Sequence, residues 1–157
     1  MKMRTESDFL GSIQLDDDAL YGINTARAID NFGISKRTVH KELIYELLML
    51  KKAAAIANCD SGFLSSDISD YIVSACDMLA DDIDMAMFPT DALQGGAGTS
   101  LNMNVNEVVC NKALLLAGIK IGDYSYIDPI DHVNLNQSTN DIFPTAVRIA
   151  SIKIIRK

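Results

Sequence analysis

The sequence predicts a mainly α-helical domain with a small β element near its N-terminus. Three apolar series recur at helical spacing and a fourth begins late in the chain, whereas short alternating runs occur only near the start. Composition agrees: with 157 residues, 48% of them hydrophobic and 22% charged, the chain can bury one sizeable core.

Residues 8–32 hold short alternating apolar runs broken by Asp16-Asp17-Asp18 and by glycines, which predicts a small irregular hairpin and no helix. Arg27 is the one cation in that stretch, available either to bridge a local Asp or to face an anion. From about His40 to Asn58, Leu43, Ile44, Leu47, Leu48, Leu50 and Ala54 repeat as a core helix, with Gly62 beyond its end. A second helix follows the capping pair Ser65-Ser66, carries Ile68, Ile72, Ala75, Leu79, Ile83 and Ala86 on one face, and is stopped by Pro89. Its acidic residues Asp67, Asp70, Asp77, Asp81, Asp82 and Asp84 are spread over several turns, so they predict a solvated face and no metal site.

The third helix runs from roughly Leu101 to Ala117, with Val105, Val108, Val109, Leu115 and Leu116 as apolar positions and Gly118 as its C-terminal cap. Asn102, Asn104, Asn106 and Asn111 are poor helix formers, and either face solvent or do local hydrogen-bonding work. Residues 119–131 read as a loop. The last helix begins after Asp141 with Pro144 in its first turn, and Val147, Ile149, Ile152, Ile154 and Ile155 keep it apolar up to Arg156-Lys157. An apolar pattern with no closing glycine or proline is expected to need further partners, as at the front of a larger protein.

The net charge of −7 argues against nucleic acid or an anionic membrane as a partner. Cys59, Cys76 and Cys110 are odd in number and lack metal-ligand spacing, which fits buried thiols in a reducing compartment. Met1 to Asp8 contain no signal-peptide run and no later stretch reaches membrane-spanning length, so the expected location is the cytoplasm.

Two stretches carry the chemistry. Gly95-Gly96-Ala97-Gly98 precedes Thr99-Ser100 at the start of a helix, where free N–H groups and the helix dipole favour a carboxylate or phosphate; a tight turn with a capped helix is the alternative. The loop lacks the Gly-Lys-Ser/Thr of a phosphate loop, and Leu101 stands where the dinucleotide fingerprint has its third glycine, which disfavours a nucleotide. The second stretch, Ser138-Thr139-Asn140-Asp141, offers four capping residues where one suffices. His132 just ahead of it is either a base or a structural hydrogen-bonder.

The segments GGAGTSLNMNVNE and HVNLNQSTNDIFPTAVRIA resemble the signature segments of the aspartase/fumarase superfamily, and DFLGSIQLDDDALYGINTARAIDNF is similar to that family's opening. The resemblance implies a helical N-terminal lyase domain over residues 1–141 and, over 142–157, the start of the first long helix of a central bundle. It implies a homotetramer with active sites shared between subunits, and reversible elimination of ammonia from L-aspartate to give fumarate without a cofactor. Matched residue by residue, Thr99, Ser138 and Thr139 correspond to donors to the substrate carboxylate, and Asn140 to a ligand of its amino group. The family's base and the lysine for its other carboxylate have no counterpart here, so no catalytic residue is expected in this chain and the chain alone is expected to be inactive.

Ala97-Gly98-Thr99 and Ser138-Thr139-Asn140 fit the aspartase branch, since fumarases show Ser-Gly-Thr and Ser-Ser-Asn in those places. Asp128 and Ile130 replace the His and Asn of the fumarases' accessory anion site, which is not expected here. A class II-type fumarase, or a fragment that only folds or associates, remains the alternative.

Overall fold

The computed structural model describes residues 2–156. The chain opens on a hairpin in which β1 (Met3–Asp8) and β2 (Gly11–Asp16) pair antiparallel in unbroken register, from Met3 opposite Asp16 to Asp8 opposite Gly11. It is therefore more regular than expected and starts earlier. The Arg4 guanidinium ties it down, donating to Glu6 Oε1 at 2.9 Å and to the carbonyls of Asp16, Ala19 and Tyr21 at 2.6, 2.8 and 2.7 Å. Arg27 takes the local bridge, with its guanidinium on the Asp8 carboxylate at 2.5 and 2.6 Å.

The second half of the expected irregular hairpin is instead a helix, α1 (Ile23–Asn31). Its cause is long-range. A nine-residue helix is marginal alone, and its first N–H groups need acceptors. Two carboxylates from distant elements supply them. Glu107 accepts from the backbone N–H of Gly22, Asn24 and Thr25 at 2.8, 2.8 and 3.1 Å, and from the Thr25 hydroxyl at 2.5 Å. Glu6 accepts from the Ile23 N–H at 2.9 Å. Gly22 lets both carboxylates approach, because a Cβ there would lie 2.8 Å from Glu6 Oε2 and 2.9 Å from Glu107 Oε1.

Helix α2 (Lys41–Asp60) starts as expected, with His40 as its cap and His40 Nδ1 accepting from the Glu42 N–H at 3.1 Å. Helix α3 (Ser66–Asp81) ends sooner than expected, and Pro89 stops nothing. Asp81 and Asp82 meet the negative end of the helix dipole there, with no basic residue in the last turn to offset them. Ile83 is nonetheless buried and a 3-10 turn spans Met85–Met87, so these residues reach the core from a connection and not from a helix face. Ser65 occupies the cap position without a side-chain capping bond. Asp67, Asp70, Asp81, Asp82 and Asp84 are exposed, and Asp77 pairs with Lys52 at 2.6 Å.

Helix α4 (Thr99–Leu116) packs between α1 and α3 and also touches α2. From Leu101 to Leu114 only Met103 and Lys112 are partly reached by solvent. Its asparagines do not face water. Asn104 donates to the Met87 carbonyl at 3.0 Å, while Asn111 donates to the Leu20 carbonyl at 2.8 Å and accepts from the Gly122 N–H at 2.9 Å. Asn104 and Asn111 each hold a connection against the helix. The core around α4 includes Ile44, Leu47 and Leu48 of α2, Ile72 and Cys76 of α3, and Ala146 from the last helix. Cys76 and Cys110 are buried free thiols, and Cys59 is half-buried. No helix among the described residues is long and apolar enough to cross a membrane.

The expected loop 119–131 gives way at its end to a π-helical turn, Pro129–Val133, set by the Asp128 side chain accepting from the Ile130 and Asp131 N–H groups at 2.6 and 2.8 Å. Helix α5 (Thr139–Ile155) begins before Asp141, which places Pro144 inside the helix and not in its first turn. The Ser138 hydroxyl accepts from the Asn140 N–H at 3.2 Å and fixes that earlier start. Helix α5 lies mainly on α2, where Lys153 pairs with Glu46 and sits 4.7 Å from the centre of the Tyr45 ring. Ile152, Ile154 and Ile155 are exposed, as the uncapped apolar pattern implied; Lys157, to which that expectation extended, lies outside the described residues.

Candidate functional site

The glycine loop ends in two left-handed residues, Gly96 at φ 67° and Gly98 at φ 86°, and Gly98 is the cap of α4. A side chain at Gly98 would overlap the ring of Phe143 on α5. The missing Cβ is thus what lets the start of α4 abut the first turns of α5. Gln94 reaches in as well, its Oε1 accepting from the Leu101 N–H at 2.7 Å.

The consequence is that two helix N-termini meet. Asn102, on the first turn of α4, donates from Nδ2 to Thr139 Oγ1 at 3.2 Å, at the first residue of α5. Thr99 lies three residues before Asn102 and hence on the same side of α4. Thr99, Ser138 and Asn140 are exposed and Thr139 is half-buried. Both helix dipoles present their positive ends in this region, where an anion is favoured.

The hydroxyls are chemically poised. Ser138 and Thr139 each accept a bond, from the Asn140 N–H and from Asn102, so each retains its own proton for donation. His132 is committed elsewhere, with Nδ1 accepting from the Asp128 N–H at 2.8 Å inside the π turn.

Beneath this wall lies a residue the sequence reading passed over. Lys51 of α2 is fully buried and donates from Nζ to Asn134 Oδ1 and Gln137 Oε1, both at 2.9 Å. Asn134 Oδ1 also accepts from Asn102 Nδ2 at 3.1 Å, which joins the lysine to the site. A signal was present: Lys51 falls three residues after Leu48 and four after Leu47, on the buried stripe.

Burial pushes the Lys51 ammonium down to about 7 from an ordinary 10.5. Between those values the unfolded chain binds more protons than the folded one, so this group's contribution to stability rises with pH across that window and is flat below it. Measured by urea denaturation at a series of pH values from about 7 to about 10, the stability difference between wild type and Lys51→Met is expected to move in favour of wild type. A difference that stays constant would show that the buried amine does not titrate there.

The site is thus a helical domain in which the N-termini of α4 and α5 meet through Asn102 and Thr139, an arrangement whose dipoles favour an anion. The family model described as lyase matches residues 11–157. The chain therefore belongs to that lyase family, within the aspartase/fumarase superfamily. It is 48% identical over 154 residues to the aspartate ammonia-lyase of Bacillus subtilis strain 168, covering 98% of this chain and 32% of that protein. It is 41% identical over 152 residues to the class II fumarate hydratase of Prochlorococcus marinus, covering 97% and 33%. The crystal structure of fumarate lyase:delta crystallin from Brucella melitensis superposes with a TM-score of 0.93 at 46% identity, over 96% of this chain and 36% of that one. The chain thus spans about a third of the length of the relatives it matches.

Proposed function

We propose that this chain supplies one wall of the active site of a lyase that reversibly eliminates ammonia from L-aspartate to give fumarate, acting within a longer chain such as those of its relatives. The observation that carries this reading is the meeting of the α4 and α5 N-termini, joined by Asn102 and Thr139. Removing the proton beside a carboxylate turns that carboxylate into an enediolate-like dianion. Donors already aimed at the site stabilise the growing charge without reorganising. Thr99, Ser138 and Thr139 are the donors, and Asn140 binds the amino group. Residues 1–141 form the N-terminal lyase domain and 142–157 the beginning of a central bundle through which a cytoplasmic homotetramer assembles.

Hydration of fumarate passes through the same dianion, and the Prochlorococcus marinus relative bears that activity's name. Ala97 and Thr139, where fumarases carry serine, favour the ammonia reaction. The test is to offer the complete protein aspartate and, separately, fumarate in water. Ammonia and fumarate released from aspartate are the expected result, whereas malate formed from fumarate with no ammonia from aspartate would transfer the protein to the hydratases. The 157-residue chain alone is expected to release neither, because the donors act as a unit with a base this wall does not contain.

A further inference from the structure

We propose that Lys51 is a positioning residue for Thr139, acting through a partly buried relay of hydrogen bonds that runs from its Nζ through Asn134 and Asn102. The inference rests on the reading of Thr139 as a donor to the substrate carboxylate.

The relay has a direction, and Lys51 sets it. Lys51 Nζ donates in both of its contacts, so the amide groups beside it present oxygen. Asn134 does so with Oδ1 and Gln137 with Oε1. Their nitrogens are then turned to other acceptors: Asn134 Nδ2 donates to the Gln137 carbonyl at 3.1 Å and Gln137 Nε2 to the Val133 carbonyl at 2.9 Å. With Asn134 Oδ1 fixed, Asn102 must present Nδ2 to it, and the same Nδ2 donates to Thr139 Oγ1. Thr139 is thereby the acceptor in its buried contact. Its one hydroxyl proton is left for a partner outside the relay.

Two further facts indicate that this polarity is imposed. Asn102 Oδ1 is buried without a hydrogen-bond partner while Nδ2 makes both of the amide's contacts, and turning the amide over would set Oδ1 against Asn134 Oδ1. Lys51 is also the largest fully buried side chain, and no carboxylate pairs with it among the described residues. A buried amine without a counter-ion is costly whether it keeps its charge or gives it up, so as a mere packing element it has no advantage over methionine.

The test is a double-mutant cycle in the complete enzyme, pairing Lys51→Met with Thr139→Val and measuring kcat and KM for aspartate, or for fumarate hydration if that is the reaction wild type performs. Lys51→Met is expected to lower kcat about tenfold while KM stays within about threefold, the pattern of an interaction felt mainly in the transition state. Adding Lys51→Met to Thr139→Val is expected to change kcat by no more than about threefold, since the hydroxyl it positions is already gone. Asn134→Leu breaks the same relay and enters the same cycle if Lys51→Met does not fold. Multiplicative losses in the double variant, or an unchanged kcat in Lys51→Met, overturn the relay alone. A wild-type enzyme inert toward both substrates overturns the proposed function and the relay together.

Discussion

Replacing Thr99 or Ser138 by alanine in the complete enzyme is expected to lower kcat by about a hundredfold or more, equivalent to roughly 2 to 4 kcal/mol of transition-state stabilisation for each donor. The loss should fall on kcat more than on KM, because charge on the bound carboxylate grows only as the proton leaves. On the proposed contact of its amide with the amino group, Asn140→Ala should instead weaken aspartate more than an analogue lacking the amine. Asp84→Ala, on the exposed acidic connection after α3, is the matched control. Turnover within a few-fold of wild type in both hydroxyl variants, with the fold intact, would remove the glycine loop from the anion site.

The second large effect is on stability. Glu107→Ala is expected to cost about 3 kcal/mol or more, because it strands the N–H groups of Gly22, Asn24 and Thr25 and the Thr25 hydroxyl at the buried start of α1. Glutamine is not expected to rescue it. A carboxylate offers acceptors on both oxygens, whereas an amide places its own N–H groups against at least one of these donors. Burial pushes the Glu107 carboxyl above the usual range while these same donors pull it down, so the ionised form depends on all of them being in place. Urea denaturation showing both variants within about 1 kcal/mol of wild type would mean that water caps α1 equally well.

What the sequence made legible was local. The apolar spacing of α2, the start of α3 and the body of α4 with its Gly118 stop all act over a few residues, and each was found where the pattern placed it, whereas among the capping residues at 138–141 it is Ser138 that caps, so α5 starts earlier than expected. Helix α1 was not, because its caps are Glu6 and Glu107, and Glu107 lies more than eighty residues away. The early end of α3 was hidden by Ile83, which keeps the apolar period although the backbone has left the helix. At the site, the hydroxyls advertise themselves by clustering before a helix, while Lys51 is camouflaged by the leucines that share its face. A lysine on an apolar stripe is a conflict between charge and position, and that conflict was the readable sign.

Helix α4 has one more consequence. Its N-terminal end and its flanks serve different clients: the meeting with α5 at Thr99 and Asn102, the α1 start at Glu107, and two connections held by Asn104 and Asn111. With almost no outward surface between Leu101 and Leu114, it has no neutral side on which sequence can drift. Substitutions there propagate to whichever client that side chain holds. Across descendants of this gene, tolerance to change should therefore be lowest along α4 and highest along the aspartate-lined outside of α3, giving two adjacent helices of one core very different evolutionary clocks.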